Sequence, residues 1–214
     1  EALQHINKIK DMKKELIMMQ NIPISSDPNV QEANEKNLQM LTSKAENRTA
    51  QLKAALSTKP TEFSIDFINL QGFPLILSFL QCLNENLRET RIHLNLLGCI
   101  KSLLNDKDGR RHILSHPNGL LIVVSISLPC ANLKIKILAI ELLAGVALLP
   151  GGHKKVLTAL TYFQDANKDR SRFTRFISDL DHSFPNSLTH ELELKTIILC
   201  FINSIMKGGL AATT

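Results

Sequence analysis

The sequence predicts an all-α protein made of helices that follow one another through short connections. Across most of its 214 residues, apolar side chains recur every three or four positions, the spacing of one face of an α-helix. Prolines and glycines fall mainly between these periodic stretches, where they separate one helix from the next. No strand pattern competes with the longest of the stretches.

The longest apolar helix is predicted at Leu133–Leu149, and the rest of the chain is arranged around it. Its apolar side chains cover more than one face, which is typical of a helix buried in the middle of a helical stack. Pro150-Gly151-Gly152 cannot continue this helix, so we expect a corner there and a new helix from His153.

Residues 1–56 are predicted to form a small helical subdomain. Ala2–Gln20 has the pattern of an amphipathic helix, and a second helix is expected at Asn29–Ser43, followed by a weakly apolar stretch, Ala45–Leu56. Apolar faces after residue 29 are thin, so we expect residues 1–50 to be loosely held until a partner covers them. A linker is predicted at residues 57–60, where a proline interrupts the pattern.

Beyond this linker, units of three helices recur. The predicted helices are 63–70, 75–83 and 89–104, then 107–115, 120–128 and 133–149, then 153–164, 171–180 and 189–206. Equivalent corners at Gly72 and Gly119 are 47 residues apart, and the helix ends Leu104 and Leu149 are 45 apart. This period indicates a HEAT or armadillo array over residues 61–214, truncated at its C-terminus. A non-repeating helical bundle is the alternative.

Composition and charge exclude several classes of protein. The net charge of +5, from 25 Lys and Arg against 20 Asp and Glu, is modest and spread out, which argues against nucleic-acid binding. No apolar run reaches the roughly 18 to 20 residues of a membrane span, so direct membrane insertion is not expected. The four cysteines are far apart and form no C-x-x-C pair, which favours a reducing cytosol over a disulfide framework or a zinc site.

Signals of catalysis are sparse. His112 and His116 are four residues apart, as two metal ligands on a helix can be, but no third ligand is near them. The segment Pro150–Lys155 lacks the spacing of a phosphate-binding loop and follows a helix instead of a strand. We therefore predict no catalytic residue, no metal and no cofactor, and interpret the chain as a binding module.

Four segments share one resemblance. Ala139–Phe163 reads A-x-x-L-L-A-x-x-A-L-L-P-G-G-H-K-K-V-L-T-A-L-T-Y-F, Cys99–Gly109 reads CIKSLLNDKDG, and Ile198–Ile205 reads ILCFINSI. Leu52–Phe67 has the form of a stretch that leads into a first repeat. Together these segments resemble the armadillo region of the Diaphanous-related formins, over roughly residues 50–208, whereas residues 1–50 match that family only in layout.

The resemblance implies an armadillo superhelix preceded by a small GTPase-binding subdomain. In that family such a region binds a GTP-loaded Rho-family GTPase and, in competition with it, an inhibitory helix from the C-terminal region of the same polypeptide. Other domains of the full-length protein, including a coiled coil, then control actin assembly. The resemblance also implies a cytoplasmic protein that associates with the cytoskeleton and is recruited to the membrane by the GTPase.

Two sets of site residues follow from the resemblance. The implied GTPase-binding residues are Ile22, Pro23, Leu41, Ala54, Thr58, Lys59 and Asn105. The implied groove for the inhibitory helix is formed by Asn105, Gly145, Leu148, Leu149, Cys200 and Asn203. The family has alanine and glutamine where this chain has Gly145 and Cys200, and Asn-Asn-Asn-Pro where it has residues 57–60.

Two functions are compatible with the sequence. One is a GTPase-gated inhibitory module, and the other is a constitutive armadillo-type scaffold that binds peptides whatever the nucleotide state of a GTPase. Individual groove residues also have simpler interpretations, since Leu148 and Leu149 can serve packing. Asn105 and Asn203 can satisfy backbone carbonyls at the ends of helices.

Overall fold

The structure is a computed structural model, and it describes residues 1–22, 27–84, 87–184 and 187–211. Within these ranges the chain forms eleven α-helices and no strand, so the predicted all-α, armadillo-like fold is confirmed. Contacts divide it into two compact units, Glu1–Leu103 and Leu104–Thr214.

The first unit contains five helices. They are α1 (Ala2–Gln20), α2 (Pro28–Thr58), α3 (Thr61–Asn69), α4 (Gly72–Gln81) and α5 (Arg91–Leu104), the last of which ends one residue beyond the unit. The corner predicted at residues 72–74 lies slightly earlier in the chain, because Gln71 takes the left-handed conformation and Gly72 already begins α4.

Helix α1 packs against α2, α3 and α4 and is not loosely attached. Its residues Ile6, Ile9 and Leu16 are at most 1% exposed, which places one complete apolar stripe in the core of the unit. Lys13 on the flank of this stripe donates a hydrogen bond of 2.9 Å from Nζ to the hydroxyl of Ser78 in α4. The expected loose hold on the N-terminal residues is therefore wrong for α1.

Helix α2 is one continuous helix of 31 residues instead of a helix followed by a separate stretch. Its start is fixed by Asp27, whose side chain accepts a hydrogen bond from the backbone N–H of Asn29, and by proline at the first helical position. Neither glycine nor proline follows until Pro60, so nothing breaks it. The helix includes Ser57 and Thr58 of the predicted linker, and the assignment of residues 1–56 and 61–214 to separate functional regions stays a prediction.

The two halves of α2 differ in their surroundings. No residue from Asn29 to Met40 is buried, whereas the half that follows buries a stripe of six residues: Leu41, Ala45, Thr49, Leu52, Ala55 and Leu56. The thin apolar face noted in the sequence thus corresponds to about three turns of helix that contact little of the described chain.

The buried half of α2 forms a seam with α5. The side-chain amide of Asn95 donates hydrogen bonds of 3.1 Å to the Glu46 carbonyl and to the Thr49 hydroxyl. One turn further, the methylenes of Lys53 cover Gly98 so closely that a Cβ at residue 98 would lie 2.8 Å from one of them. Ser57 and Ser102 close the seam with a hydroxyl–hydroxyl hydrogen bond of 2.7 Å.

The second unit is built around α8. It contains α6 (Lys107–Ser115), α7 (Gly119–Ser127), α8 (Leu133–Ala147), α9 (Gly152–Asn167), α10 (Thr174–Asp181) and α11 (Leu188–Ala211). Helix α8 buries ten of its residues and packs against α7, α9 and most extensively α11, as its all-round apolar pattern predicts. Phe176 of α10 and Phe201 of α11 are both buried, with ring centroids 5.1 Å apart, and join the last two helices.

The corner after α8 depends on two glycines. Gly151 has a φ of +75°, which places it in the left-handed region that favours glycine. Gly152 begins α9, and a Cβ there would collide with the carbonyl oxygen of Val146. The chain can therefore turn from α8 into α9 in this narrow space only because residue 152 has no side chain.

In the part of the chain that the structure describes, no single helix is long and apolar enough to cross a membrane. The helix pair α3 and α4 meets that length and composition together, with a bend of 68° at the break between them.

Candidate functional site

The C-terminal end of α2 carries two of the predicted GTPase-binding residues, Ala54 and Thr58, and a third follows it directly. Ala54 and Thr58 are exposed and one turn apart, so they lie on the same side of the helix. The Thr58 hydroxyl donates a hydrogen bond of 2.8 Å to the Ala54 carbonyl, and its methyl group is the part left for a partner.

Lys59 directly follows α2 and is held by an ion pair with the carboxylate of Glu1. Its ammonium also lies 5.6 Å from the ring centroid of Phe63, against which the His5 ring packs edge-on at 5.7 Å. The hydrogen bond and the charge of Lys59 lower the pKa of Glu1, while burial and then the charge of Lys8 lower the pKa of His5. A partner that binds Lys59 must therefore compete with Glu1 or pair with both.

Ile22 lies at the opposite end of α1 from this cluster. Its side chain is 41% exposed, and the preceding helix of 19 residues spans about 28 Å at 1.5 Å per residue. Pro23 lies outside the described residues. The structure therefore places Ile22 and Lys59 in two separate patches of the first unit.

Leu41 is only 9% exposed and belongs to the core of the first unit. A side chain so buried offers a partner little surface, so direct contact through Leu41 disagrees with the structure. The half-buried neighbours that sequence reasoning missed are Leu38, Thr42 and Glu46, which line a shallow depression together with the buried Leu87. Their spacing of four residues along one helix was the available signal.

The predicted inhibitory groove lies on the second unit, and its residues differ in exposure. Gly145, Leu148, Cys200, Asn203 and Asn105 are exposed, and Leu148 retains 59% of its surface. Gly145 belongs to α8, Leu148 follows it directly, and Cys200 and Asn203 belong to α11, which packs against α8. These exposed residues thus lie on, or directly after, two helices that pack against each other.

The ends of α8 and α11 approach each other closely at one point. A Cβ on Gly208 would lie 3.0 Å from the carbonyl oxygen of Ala147, the last residue of α8. Asn203 precedes Gly208 by five residues, about 7 Å along the helix, and Leu148 immediately follows Ala147. The predicted residues of the two helices are therefore at similar heights.

Asn105 follows the end of α5, next to Leu104, which approaches Gly145. A Cβ on Gly145 would lie 4.0 Å from Cδ1 of Leu104, which is ordinary contact with room for a methyl group. Arg110, which sequence reasoning missed, donates hydrogen bonds of 2.9 and 3.0 Å from Nη1 to the carbonyls of Leu104 and Asn105. It satisfies the end of α5 and fixes the backbone that presents the Asn105 side chain.

Leu149 is half-buried, in contrast to its neighbour Leu148. Its Cβ packs at Gly152 on the inner side of the corner, and its backbone N–H donates a hydrogen bond of 3.0 Å to the Val146 carbonyl. Of the two leucines, Leu148 presents more surface to a ligand.

Among the described residues no group of three or more His, Cys, Asp or Glu side chains could hold a metal ion. Cys99, the most enclosed thiol, has a strongly raised pKa because it is completely buried. The exposed surfaces described above suit binding of another polypeptide.

Comparison with known proteins agrees with this conclusion. The family described as the Diaphanous GTPase-binding Domain matches residues 3–148, which include α1 to α8. The chain is 43% identical over 158 residues to Disheveled-associated activator of morphogenesis 1 of Mus musculus, covering 74% of this chain and 14% of that protein.

Two further relatives match a similar share of the chain. Identity is 42% over 158 residues to Disheveled-associated activator of morphogenesis 2 of Gallus gallus, covering 74% of this chain and 14% of the relative. It is 27% over 165 residues to Formin-F of Dictyostelium discoideum, covering 75% and 13%. The chain thus spans about one seventh of the length of these relatives. It belongs to the Diaphanous-related formins and carries the GTPase-binding region of that family.

Proposed function

We propose that this region binds an active, GTP-loaded Rho-family GTPase and, in competition with it, an inhibitory helix from the C-terminal region of the same protein. The observation that carries the proposal is the first half of α2. Asn29–Met40 lies within the segment that matches the family and has no buried side chain. Two of its apolar residues, Val30 and Met40, are 43% and 57% exposed. Exposed apolar side chains on a helix surface that its own unit does not bury can serve as contacts for another protein.

The proposed GTPase surface runs along the hairpin of α1 and α2. It extends from Ile22 and the exposed first half of α2 toward Ala54, Thr58 and Lys59 at the other end. A standard interface buries about 800 Å² on each partner, enough to engage patches roughly 30 Å apart. The GTPase contact expected at Asn105, in the second unit, stays a prediction of the sequence.

The proposed inhibitory groove uses the exposed residues of α8 and α11. An amphipathic helix would place apolar side chains on Leu148 and beside Gly145, while Asn203 and Cys200 border it. The glycine leaves room for a larger side chain on the ligand than the alanine of the related formins would.

The remaining parts of the proposal concern the whole protein. Actin assembly would be controlled through other domains, and the protein would work in the cytoplasm, on the cytoskeleton and at membranes to which the GTPase recruits it. The support is that the relatives include proteins named formins and that the matched family is named for GTPase binding.

Binding of nucleotide-loaded GTPases tests the proposal. The 214-residue chain is titrated with Rho-type GTPases carrying a GTP analogue or GDP, and we expect at least tenfold tighter binding of the GTP form. The variant Val30→Asp/Met40→Glu should lose this binding, whereas Ile177→Glu, a comparable change at a residue 59% exposed on α10, should keep it.

A constitutive scaffold would behave differently. It would bind the C-terminal segment equally well with and without the loaded GTPase. Equal binding of the GTP and GDP forms, or none of either across the Rho family, would refute the gated function.

A further inference from the structure

A second groove lies in the same unit, between the start of α7 and the outer face of α9. Its volume is about 330 Å³, at the small end of the range of ligand sites in proteins. None of the residues proposed for the inhibitory groove lines it. It is therefore a separate surface, and nothing in the proposed GTPase function requires it.

The floor of this groove is apolar. Leu120 and Ala159, which are 8% and 5% exposed, contribute side chains that are fixed in the core of the unit. Pro117 and Tyr162 also line the groove, and the large side chain of Tyr162 has 59% of its surface exposed. A rigid apolar floor beside an exposed tyrosine is typical of sites that receive one anchoring side chain.

The rim of the groove is positively charged. Lys154 and Lys155 are exposed on the first turn of α9, and neither forms an ion pair with any residue that the structure describes. No Asp or Glu is among the lining residues. The two ammonium groups therefore leave an uncompensated positive potential over an apolar floor.

We propose that this groove binds a short extended segment of a partner protein in which an aliphatic side chain is flanked by Asp or Glu. The aliphatic side chain enters the groove over Leu120 and Ala159, and the carboxylates pair with Lys154 and Lys155. Lysine pairs with a carboxylate as a point charge, and an apolar floor next to the two charges suits a peptide that carries an aliphatic side chain beside its carboxylates better than an inorganic anion.

Selection from a random library of nonapeptides tests the sequence preference. The immobilised 214-residue chain is the bait, and the variant Lys154→Glu/Lys155→Glu is used for counter-selection. We expect the enriched peptides to contain an aliphatic residue with Asp or Glu within two positions. Enrichment without acidic residues, or equal recovery on the variant, would overturn the proposal.

Titration of the best enriched peptide, synthesised with a fluorophore, measures the contribution of the lysines. The double variant should bind at least tenfold more weakly, and Tyr162→Ala should bind several-fold more weakly. Lys8→Glu/Lys10→Glu, which changes the net charge equally at exposed lysines of α1, should stay within twofold of the parent. All of these side chains are exposed, and circular dichroism with thermal unfolding verifies that each variant is folded.

Two further probes distinguish other sources of negative charge. Vesicles of phosphatidylcholine with 30% phosphatidylserine, a composition chosen for the assay at about the anionic content of a cytoplasmic leaflet, should bind the parent and the double variant alike. Inorganic phosphate at millimolar concentration should not displace the peptide. Loss of vesicle binding in the double variant without any peptide preference would identify a lipid-binding surface, and displacement by phosphate would identify a simple anion site; either result would refute the peptide groove.

Discussion

Lys136 of α8 contacts both carboxylate oxygens of Asp179 of α10, at 2.6 and 2.8 Å from its ammonium nitrogen. The two side chains are only 13% and 16% exposed, so this ion pair is almost completely shielded from water. Helix α10 is short and buries a single residue, Phe176. The ion pair is therefore a main attachment of α10 to the centre of its unit.

Removal of one partner should be strongly destabilising. Asp179→Ala leaves the ammonium of Lys136 shielded without a counter-charge, and we expect a loss of about 3 kcal/mol in the free energy of unfolding. Urea denaturation measures it. Glu32→Ala is the matched control, because its ion pair with Lys36 has the same 2.6 Å distance but side chains 66% and 71% exposed. That variant should change stability by less than about 0.5 kcal/mol, and similar losses in both variants would contradict the role of burial.

The corner after α8 should distinguish its two glycines. At Gly151 an added Cβ meets no atom within 4 Å, so Gly151→Ala should lose only about 1 kcal/mol for the left-handed backbone. At Gly152 the Cβ collides with the Val146 carbonyl, and Gly152→Ala should be destabilised by several-fold more or fail to fold. Thermal unfolding of the two variants provides the comparison, and equal melting temperatures would contradict this geometry.

Acid should destabilise the first unit through His93. This side chain of α5 is fully buried, and burial, followed by the charge of Arg88, lowers its pKa from 6.5 to about 4. The folded chain keeps the ring neutral, whereas the unfolded chain takes up a proton below pH 6.5. The stability present above pH 6.5 is thus lost as the pH falls toward 4, by up to about 3 kcal/mol.

Unfolding free energies between pH 7 and pH 4 test this effect. Because other groups also titrate in this range, the informative quantity is the difference between the parent and His93→Leu. The variant should show a shallower pH dependence. Parallel curves for the two proteins would show that His93 takes up no proton on unfolding.

Hydrogen exchange should follow the two halves of α2. Amides of Asn29–Met40 should exchange fast, because no buried side chain holds this half, and those of Leu41–Leu56 should exchange slowly along the seam with α5. Exchange in α1 should resemble the slow half. Uniform protection along α2 would contradict the division, and a bound GTPase should slow the fast half selectively.

The groove assignment predicts different effects for two neighbouring leucines. Leu148→Asp introduces a charge at an exposed position, so the fold should survive while binding of a peptide from the C-terminal region of the same protein is lost. Leu149→Asp introduces the charge at the half-buried corner and should lower the melting temperature. Peptide titration and circular dichroism measure both effects, and normal peptide binding by a folded Leu148→Asp would show that the groove lies elsewhere.

The limits of a helix could be predicted from the sequence where a proline or glycine marks its end. Helix α6 was predicted with its observed limits, Lys107 and Ser115, because Pro117 terminates it. The continuity of α2 was missed because its first half has few apolar residues, although no local breaker separates the halves. Exposure was harder to predict, since Leu41 and Leu148 are both leucines on helical patterns. Their difference depends on which helices pack beside them, and that information is not local.

Because α2 is one unbroken helix, a displacement of one end is transmitted to the other. Its 31 residues span about 46 Å, and a regular helix resists bending over that length. The first half of the helix is exposed, and the second half is attached to α5 through the seam from Asn95 to Ser102. A protein bound to Asn29–Met40 can therefore shift the other half of the helix against α5. Substitution of Gly98 or Ser102 would weaken the contact between α2 and α5 without changing the surface to which that protein binds.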